Sequence, residues 1–453
     1  MTSPGMDLIE VGAYDHAVLA FVDDDGYPME VATTFRADEG VLILDMPAGE
    51  LAPPDGALVD VLFSHINPVA GYGYDQRRYV SVWGPVRHGE GVLIVAPERA
   101  KGWDENDVPF FEYSERSVPQ AHRYFRDLGR LQGREVRPKL AGFWLFLRAT
   151  RLPFLTATFV PVALGVAAAA SNGAFDIWLA LLTLLGAVFI HLALNVTNDV
   201  FDTLSGADAA NSTPTPFSGG SRVIHYGLVS LRTMSLMAGA FFLAGGAIGV
   251  YLAATRGWEL LIIGAAGMFF AIFYTAPPFK LVYRGLGEIA VALGFGPAML
   301  LGGYFVQAQT ITVEAWVLSI PVAIFIALVL YVNEVPDRPG DAAAGKRTLP
   351  VRWSKEAVIR GYQVAAGLAF ATIAIGAVTG IMPRPTIIAL VTIPLALECV
   401  RQLGKYYDQP YALMPAMQTN IRLHLFTGLL LLGGYLVAII AGALMEDPPF
   451  FLV

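Results

Sequence analysis

From Leu152 onward, apolar stretches recur with hardly a charge inside them, near 152–170, 178–197, 234–254, 260–276, 286–306, 315–332, 359–380, 386–397 and 424–445. Most are long enough for a helix to cross about 30 Å of hydrocarbon at about 1.5 Å per residue. The short 386–397 run reaches that length if residues 398–403 complete the helix. The reading is an all-α polytopic membrane protein with nine transmembrane helices over 152–453. Composition agrees: 55% of residues are hydrophobic and 15% charged, against about 25% charged in globular chains.

The first 135 residues differ. They hold 23 acidic and 11 basic side chains, whereas the rest hold 15 and 19. The overall net charge of −8 therefore belongs to the N-terminal part, and a nucleic-acid partner is excluded on charge. HAVLAFVDDDGYPMEVATTF places Asp25-Gly26 between two β-rich runs, a hairpin signal. VLILDM, ALVDVLF, YVSVWGPV and GVLIVA continue at strand length with turn residues between them. The expected architecture is a soluble β-barrel or sandwich over 1–133, with a helical pattern at SVPQAHRYFRDLGRLQG and a cytoplasmic linker over 134–151. The hairpin LAFVDDDGYPMEVATTF resembles the opening strands of pyridoxamine-phosphate-oxidase-like split barrels. That resemblance implies a flavin, with His65, Arg77 and Arg78 facing its phosphate. The competing reading is a barrel without cofactor that serves as a docking or regulatory head. MTSPGMDLIEVGAYDH has no basic segment followed by an apolar run, so no secretory signal peptide is expected. Cys399 is the one cysteine, which excludes an internal disulfide and a Cys-rich metal site.

Basic residues set the orientation. If the chain starts inside, seventeen Lys and Arg of residues 136–453 fall on inner segments, and Arg256 and Arg384 on outer ones. The expectation is a multi-pass cell-membrane protein with a cytoplasmic N-terminal domain and the C-terminus on the opposite side.

Two acidic sites stand out. The second apolar stretch ends in HLALNVTNDVFDTLSGAD, where Asn195, Asp199 and Asp202 fall on one helical face and Asp208 follows. The sixth ends in LYVNEVPDRPGD, where Asn333 and Asp337 repeat the i, i+4 step and Asp341 follows. Asn195 to Asn333 and Asp199 to Asp337 are both 138 residues. Four helices intervene, so both sites open on one membrane face, as an internal repeat would have it. A single Asp at a helix end is usually just solvated, but that does not account for two matched sites. Mg2+ takes hard oxygen ligands and is commonly held by one or two carboxylates plus substrate phosphates. Facing Asp clusters therefore suit a diphosphate bridged by Mg2+. Arg222, Lys280, Lys346 and Arg347 accompany them as candidate phosphate ligands, and Gly219-Gly220 lets backbone approach. Arg284 and Arg352 read as ordinary inner-face charges.

At these residues the chain resembles the UbiA family of intramembrane prenyltransferases. NVTNDVFDTLSGAD is similar to the family's first Asp-rich motif and NEVPDRPGDAAAGKRTLPVR to its second. SGGSRVIHYGLVS, YTAPPFKLVYRGLGE and LGFGPAMLLGGYFVQ are most similar to the branch that prenylates 1,4-dihydroxy-2-naphthoate for menaquinone. The similarity covers about 140–450. Glu334 and Pro336 depart from the second motif's usual residues, and the proline is expected to kink the helix exit. The resemblance implies a UbiA-like fold of nine helices around a laterally open cavity, with the acidic motifs at its cytoplasmic mouth. It implies transfer of a polyprenyl group from a prenyl diphosphate to an aromatic acceptor. Asp199, Asp202, Asp337 and Asp341 would be catalytic and, with Asp208, would hold Mg2+. Asn195, Asn198 and Asn333 would orient ligands or phosphate oxygens, and Tyr274 would line the acceptor pocket. Acceptors of 4-hydroxybenzoate, homogentisate, chlorophyllide, haem or glycerol-phosphate type stay open at this point. So does a cation-coupled transporter, although transporter sites tend to lie at the bilayer midplane. A head domain that the helices merely anchor would need a single span.

Overall fold

The computed structural model describes residues 8–23, 25–45, 52–69, 73–138 and 140–446. Contacts divide the chain into two units, 1–114 and 115–453.

The first unit is built from eight strands: β1 (Ala17–Val22), β2 (Pro28–Thr33), β3 (Phe35–Asp38), β4 (Val41–Asp45), β5 (Leu58–Val69), β6 (Gly73–His88), β7 (Val92–Val95) and β8 (Arg99–Asp104). All pairings are antiparallel, in the order β2-β1-β5-β6-β7-β4-β3, and β8 adds to β6. Alternation drives this. Leu19, Leu42, Leu44, Val61, Phe63, Val82, Val86 and Val95 point inward at every second position of their strands. The Asp25-Gly26 turn forms as expected. Gly26 takes φ 84°, and the Asp23 carboxylate accepts from the Asp25 and Tyr27 N–H groups at 3.0 and 2.7 Å. Thr34 alone separates β2 from β3, so one continuous segment carries both ends of that strand order, and β6 pairs with strands of both halves; the expected β-rich domain is thus an antiparallel sheet. Arg77 donates to Glu105 and stacks 4.0 Å from the Phe110 ring centroid. Arg78 sits over the Tyr14 ring, and His65 pairs with Arg78 across β5 and β6. Arg77 is thus taken up by the unit's own carboxylate, which removes the main cation from the flavin-phosphate reading.

The expected helix near 117–133 begins earlier and runs Phe110–Gln132. Beyond it, among the described residues, seven helices are long and apolar enough to cross a membrane: Ile177–Ser205, Leu231–Arg256, Gly287–Ala308, Val313–Ala343, Lys355–Thr379, Arg384–Tyr406 and Met414–Leu444. Two of the nine expected stretches form shorter apolar helices, Thr156–Ser171 and Glu259–Phe273. The first is shortened because Pro153 lies in a 3-10 turn ahead of it. The second stops where the chain turns out at residues 274–280. Asp176, Ser230, Thr312 and Ser354 cap the helices that follow them, each accepting a backbone N–H three residues on. The Val313–Ala343 helix continues through Pro336 and Pro339 to Ala343.

Glycine permits the tightest crossings. A Cβ on Gly165 would lie 2.2 Å from the Leu300 carbonyl oxygen, so the two helix backbones meet directly there. Gly367 has open space around it. Gly165→Ala is therefore expected to cost about 1–3 kcal/mol through overpacking and to lower the melting temperature in detergent. Gly367→Ala is expected to leave that temperature unchanged or raise it, since Ala favours helix by up to about 1 kcal/mol.

Candidate active site

The two acidic helix ends meet. Lys346 follows the Val313–Ala343 helix, and its Nζ lies 2.7 Å from Asp202 Oδ1 and 3.9 Å from Asp341 Oδ1. Asp202 belongs to the Ile177–Ser205 helix, so one buried ammonium ties both motifs together. Burial alone would lower the Lys346 pKa, but Asp202 and Asp341 outweigh it and hold the ammonium above its ordinary value. The backbone after Asp341 bends so that the Lys346 N–H donates to the Asp341 carbonyl at 2.8 Å.

The loop between the motifs makes a second tie. The Gly219 N–H donates to Asp337 Oδ2 at 2.9 Å, and the Ser221 N–H donates to Asp199 Oδ1 at 3.1 Å. Ser221 Oγ also bonds Asp199. A Cβ on Gly220 would lie 3.1 Å from Asp199 Oδ1 and 3.3 Å from Asp208 Oδ1, at φ 78°. Glycine is therefore required for the loop to lie against these carboxylates. Asn211 Nδ2 donates to Asp337 Oδ1 at 2.9 Å, and Gly340 lets that residue approach, since its Cβ would meet Asn211 Cα at 2.9 Å.

A polar cavity of about 190 Å3 opens among these groups. Asp202, Asp208, Asp337, Asp341, Asn195, Asn198, Asn333, Lys346 and Tyr274 all line it, as the sequence led one to expect. Asp199 lies behind it, bonded to the loop. Burial, with Asp202 and Asp199 nearby, pushes the Asp208 carboxyl up to about 7. Asn195 is turned partly aside, its Nδ2 donating to the Thr150 carbonyl at 3.0 Å.

Three expected cations do not line the cavity. Arg222 is buried and donates to Glu115 Oε2 at 2.6 Å and to the Asn211 carbonyl at 3.2 Å. A buried guanidinium takes the carboxylate within reach, and here that is Glu115 on the Phe110–Gln132 helix. Lys280 holds its Nζ 5.2 Å from the Tyr283 ring centroid. Arg347 is exposed and gives its N–H to the Tyr283 carbonyl at 3.3 Å. Arg151 takes the missing place: it lines the cavity and donates to Asp199 Oδ1 at 2.8 Å. In sequence it reads only as an inner-face charge, because nothing local marks its turn toward residue 199.

The polar cavity adjoins an apolar one of about 370 Å3. His191, Leu194, Tyr274, Val291 and Phe295 line both. His191 is fixed there by a 2.7 Å hydrogen bond with Thr158 Oγ1. Gly186, Ile190, Ile248, Ile263 and Met268 continue the apolar wall. A polar mouth leading into a greasy chamber suits an amphiphile with an anionic head.

Among the described residues, no three His, Cys, Asp or Glu side chains converge as a metal cluster. A Mg2+ site does not require that, since this ion is commonly held by one or two carboxylates and substrate phosphates. The donors here are oxygen only, and Asn198 Oδ1 and Asn333 Oδ1 are buried without a hydrogen-bond donor. The residues fit a hard divalent cation. Removing Lys346 would leave Asp202 buried and unpaired. Lys346→Met is expected to cost about 3–5 kcal/mol in detergent melts, and adding Asp202→Asn is expected to restore part of that loss.

A model of the UbiA prenyltransferase family matches residues 158–421. A 2-carboxy-1,4-naphthoquinone phytyltransferase of Synechocystis sp. is 28% identical over 294 residues, 64% of this chain and 92% of its own length. A 1,4-dihydroxy-2-naphthoate octaprenyltransferase of Mycobacterium tuberculosis is 30% identical over 262 residues, 57% of this chain and 86% of its own. The solved structure of a UbiA homologue from Archaeoglobus fulgidus bound to GPP and Mg2+ overlays with a TM-score of 0.46 at 16% identity. It covers 63% of this chain and 99% of its own.

Proposed function

The chain belongs to the UbiA prenyltransferase family, and from that premise we propose that it transfers a polyprenyl group from a prenyl diphosphate to 1,4-dihydroxy-2-naphthoate. It is a multi-pass membrane protein and a prenyltransferase. The naphthoate acceptor is supported by relatives named for naphthoate and naphthoquinone substrates. The observation that carries the reading is the meeting of both Asp-rich helix ends at Lys346, beside an apolar chamber.

The apolar chamber takes the prenyl tail and the polar cavity its diphosphate. Asp202, Asp208, Asp337 and Asp341, with Asp199 behind them, would hold Mg2+, which supplies charge neutralisation of the leaving diphosphate. Lys346 and Arg151 direct N–H groups at the same place, and Asn198 and Asn333 orient the phosphate oxygens. As the allylic C–O bond breaks, positive charge develops on the prenyl carbon. Phe295, Val291 and Leu194 surround that carbon and exclude water, while Tyr274 lines the acceptor's side. The C–O electron pair leaves with the diphosphate, the electron-rich ring carbon forms the new C–C bond to the prenyl carbon, and that ring carbon gives up its proton to restore aromaticity. The same proposal counts nine passes, with the two shorter helices included. It divides the chain functionally at 1–133, 134–151 and 152–453, and puts the N-terminal region and the polar mouth on the cytoplasmic side with the C-terminus opposite.

The test is an assay of membranes with Mg2+, a prenyl diphosphate and a panel of aromatic acceptors. Prenylated naphthoate product is expected, lost on chelation with EDTA and restored by Mg2+. Asp199→Ala and Asp337→Ala are expected to reduce turnover by about 100–1000-fold while the protein still inserts. Product from no acceptor in the panel would overturn the reading.

A further inference from the structure

Two buried acidic side chains have no part in the mechanism above. Glu334 is 5% exposed and lines the polar cavity, and Glu288 is 7% exposed. Neither carboxylate receives a hydrogen bond at either oxygen. Their side chains face each other, carboxyl to carboxyl, from the Val313–Ala343 helix and the Gly287–Leu293 helix. Two buried carboxyl groups this close share a proton, one as a neutral acid that donates to the other; the remaining oxygens still lack a donor, and a buried acceptor left without one is costly.

The protein's nearby cations are committed elsewhere. Lys346 serves Asp202 and Asp341, Arg151 serves Asp199, and Arg222 serves Glu115. No cation is left for the remaining oxygens, and a hydroxyl brought by a ligand can supply the donor they lack. A prenyl diphosphate brings an anionic head and a hydrocarbon tail, and a carboxylate repels the first and gains nothing from the second. A hydroxylated aromatic ring does bring an O–H.

Position agrees with chemistry. Glu334, Asp337 and Asp341 stand at i, i+3 and i+7 on one helical face, so Glu334 lies about 4.5 Å further into the bilayer than Asp337. Tyr274, Val291 and Phe295 line both cavities and mark where the polar one passes into the apolar one. The bond that breaks joins the diphosphate to the tail, so the reacting carbon sits at this boundary and the acceptor ring must come beside it.

We infer that Glu334, held in place by Glu288, is the residue that recognises the acceptor, taking a hydrogen bond from a hydroxyl of the aromatic ring to be prenylated. The inference rests on the prenyl-transfer reading above. Glu334 then sets specificity for a ring hydroxyl, and Glu288 is a positioning residue.

The experiment compares wild-type, Glu334→Gln and Glu334→Asp proteins in the membrane assay. KM is measured separately for 1,4-dihydroxy-2-naphthoate, prenyl diphosphate and Mg2+. Competition by the mono- and di-O-methyl ethers of the naphthoate is measured alongside. Glu334→Gln is expected to raise the acceptor KM about 10–100-fold, with the diphosphate and Mg2+ values unchanged, and Glu334→Asp to recover part of the loss. Wild-type protein is expected to bind the hydroxylated acceptor at least about 10-fold better than the dimethyl ether. An unchanged acceptor KM, a shift in the Mg2+ or diphosphate value instead, or equal binding of the ether would overturn the inference while leaving prenyl transfer intact. The ether comparison needs no variant, so it decides the matter even if neither substitution folds. Wild-type protein that transfers to no acceptor would overturn the functional reading and this inference together.

Discussion

Asp202 and Asp341 lie on helices more than a hundred residues apart in sequence, and each places a carboxylate on the ammonium of Lys346. Three charges in a buried site are stable only as a group, because the loss of one leaves its partners desolvated and unpaired. This contact therefore fixes how far apart the Ile177–Ser205 and Val313–Ala343 helices end. It also places Asn198, Asp208, Asn333 and Asp337 around a single cavity.

The glycine loop works on the same ends from the other side. Gly219 and Ser221 give backbone N–H groups to Asp337 and Asp199, and Arg222 next to them is anchored on Glu115. The carboxylates are thus held by the protein's own donors as well as by cations. A polyanionic ligand competes for those donors and brings more acceptors, so the arrangement suits an incoming charge shared among several groups. The adjoining chamber has nothing comparable to offer a charge: its wall is glycine and aliphatic side chains, with His191 already bonded to Thr158.

Much of this was legible in the residues themselves. The repeated Asn-x-x-x-Asp step put both motifs at equivalent helix ends, and helical periodicity alone is enough to line up Asn195, Asp199 and Asp202. The Asp25-Gly26 hairpin and the alternating strands followed from local chemistry. What sequence did not carry were side-chain partnerships across long separations. In sequence Arg222 reads as a phosphate ligand and Arg151 as an inner-face charge, and only tertiary packing gives the first to Glu115 and the second to Asp199. Glu334 stood out only as a departure from a motif, because its isolation from donors depends on where Glu288 ends up. The order of the N-terminal strands was likewise a long-range property, since β1 pairs with β5 and β4 with β7 across intervening strands.

The helices Thr156–Ser171 and Glu259–Phe273 have 16 and 15 residues, or about 23–24 Å of length at the usual rise. Where they cross the bilayer, as the nine-pass proposal has it, a hydrocarbon layer of about 30 Å exceeds them, and lipid beside these two segments would thin to match. The Glu259–Phe273 helix also supplies Ile263, Met268 and Phe270 to the wall of the apolar chamber. Strain in the surrounding leaflet is thereby concentrated at that wall, and bilayer thickness becomes a variable of the enzyme's performance, as much as any solute.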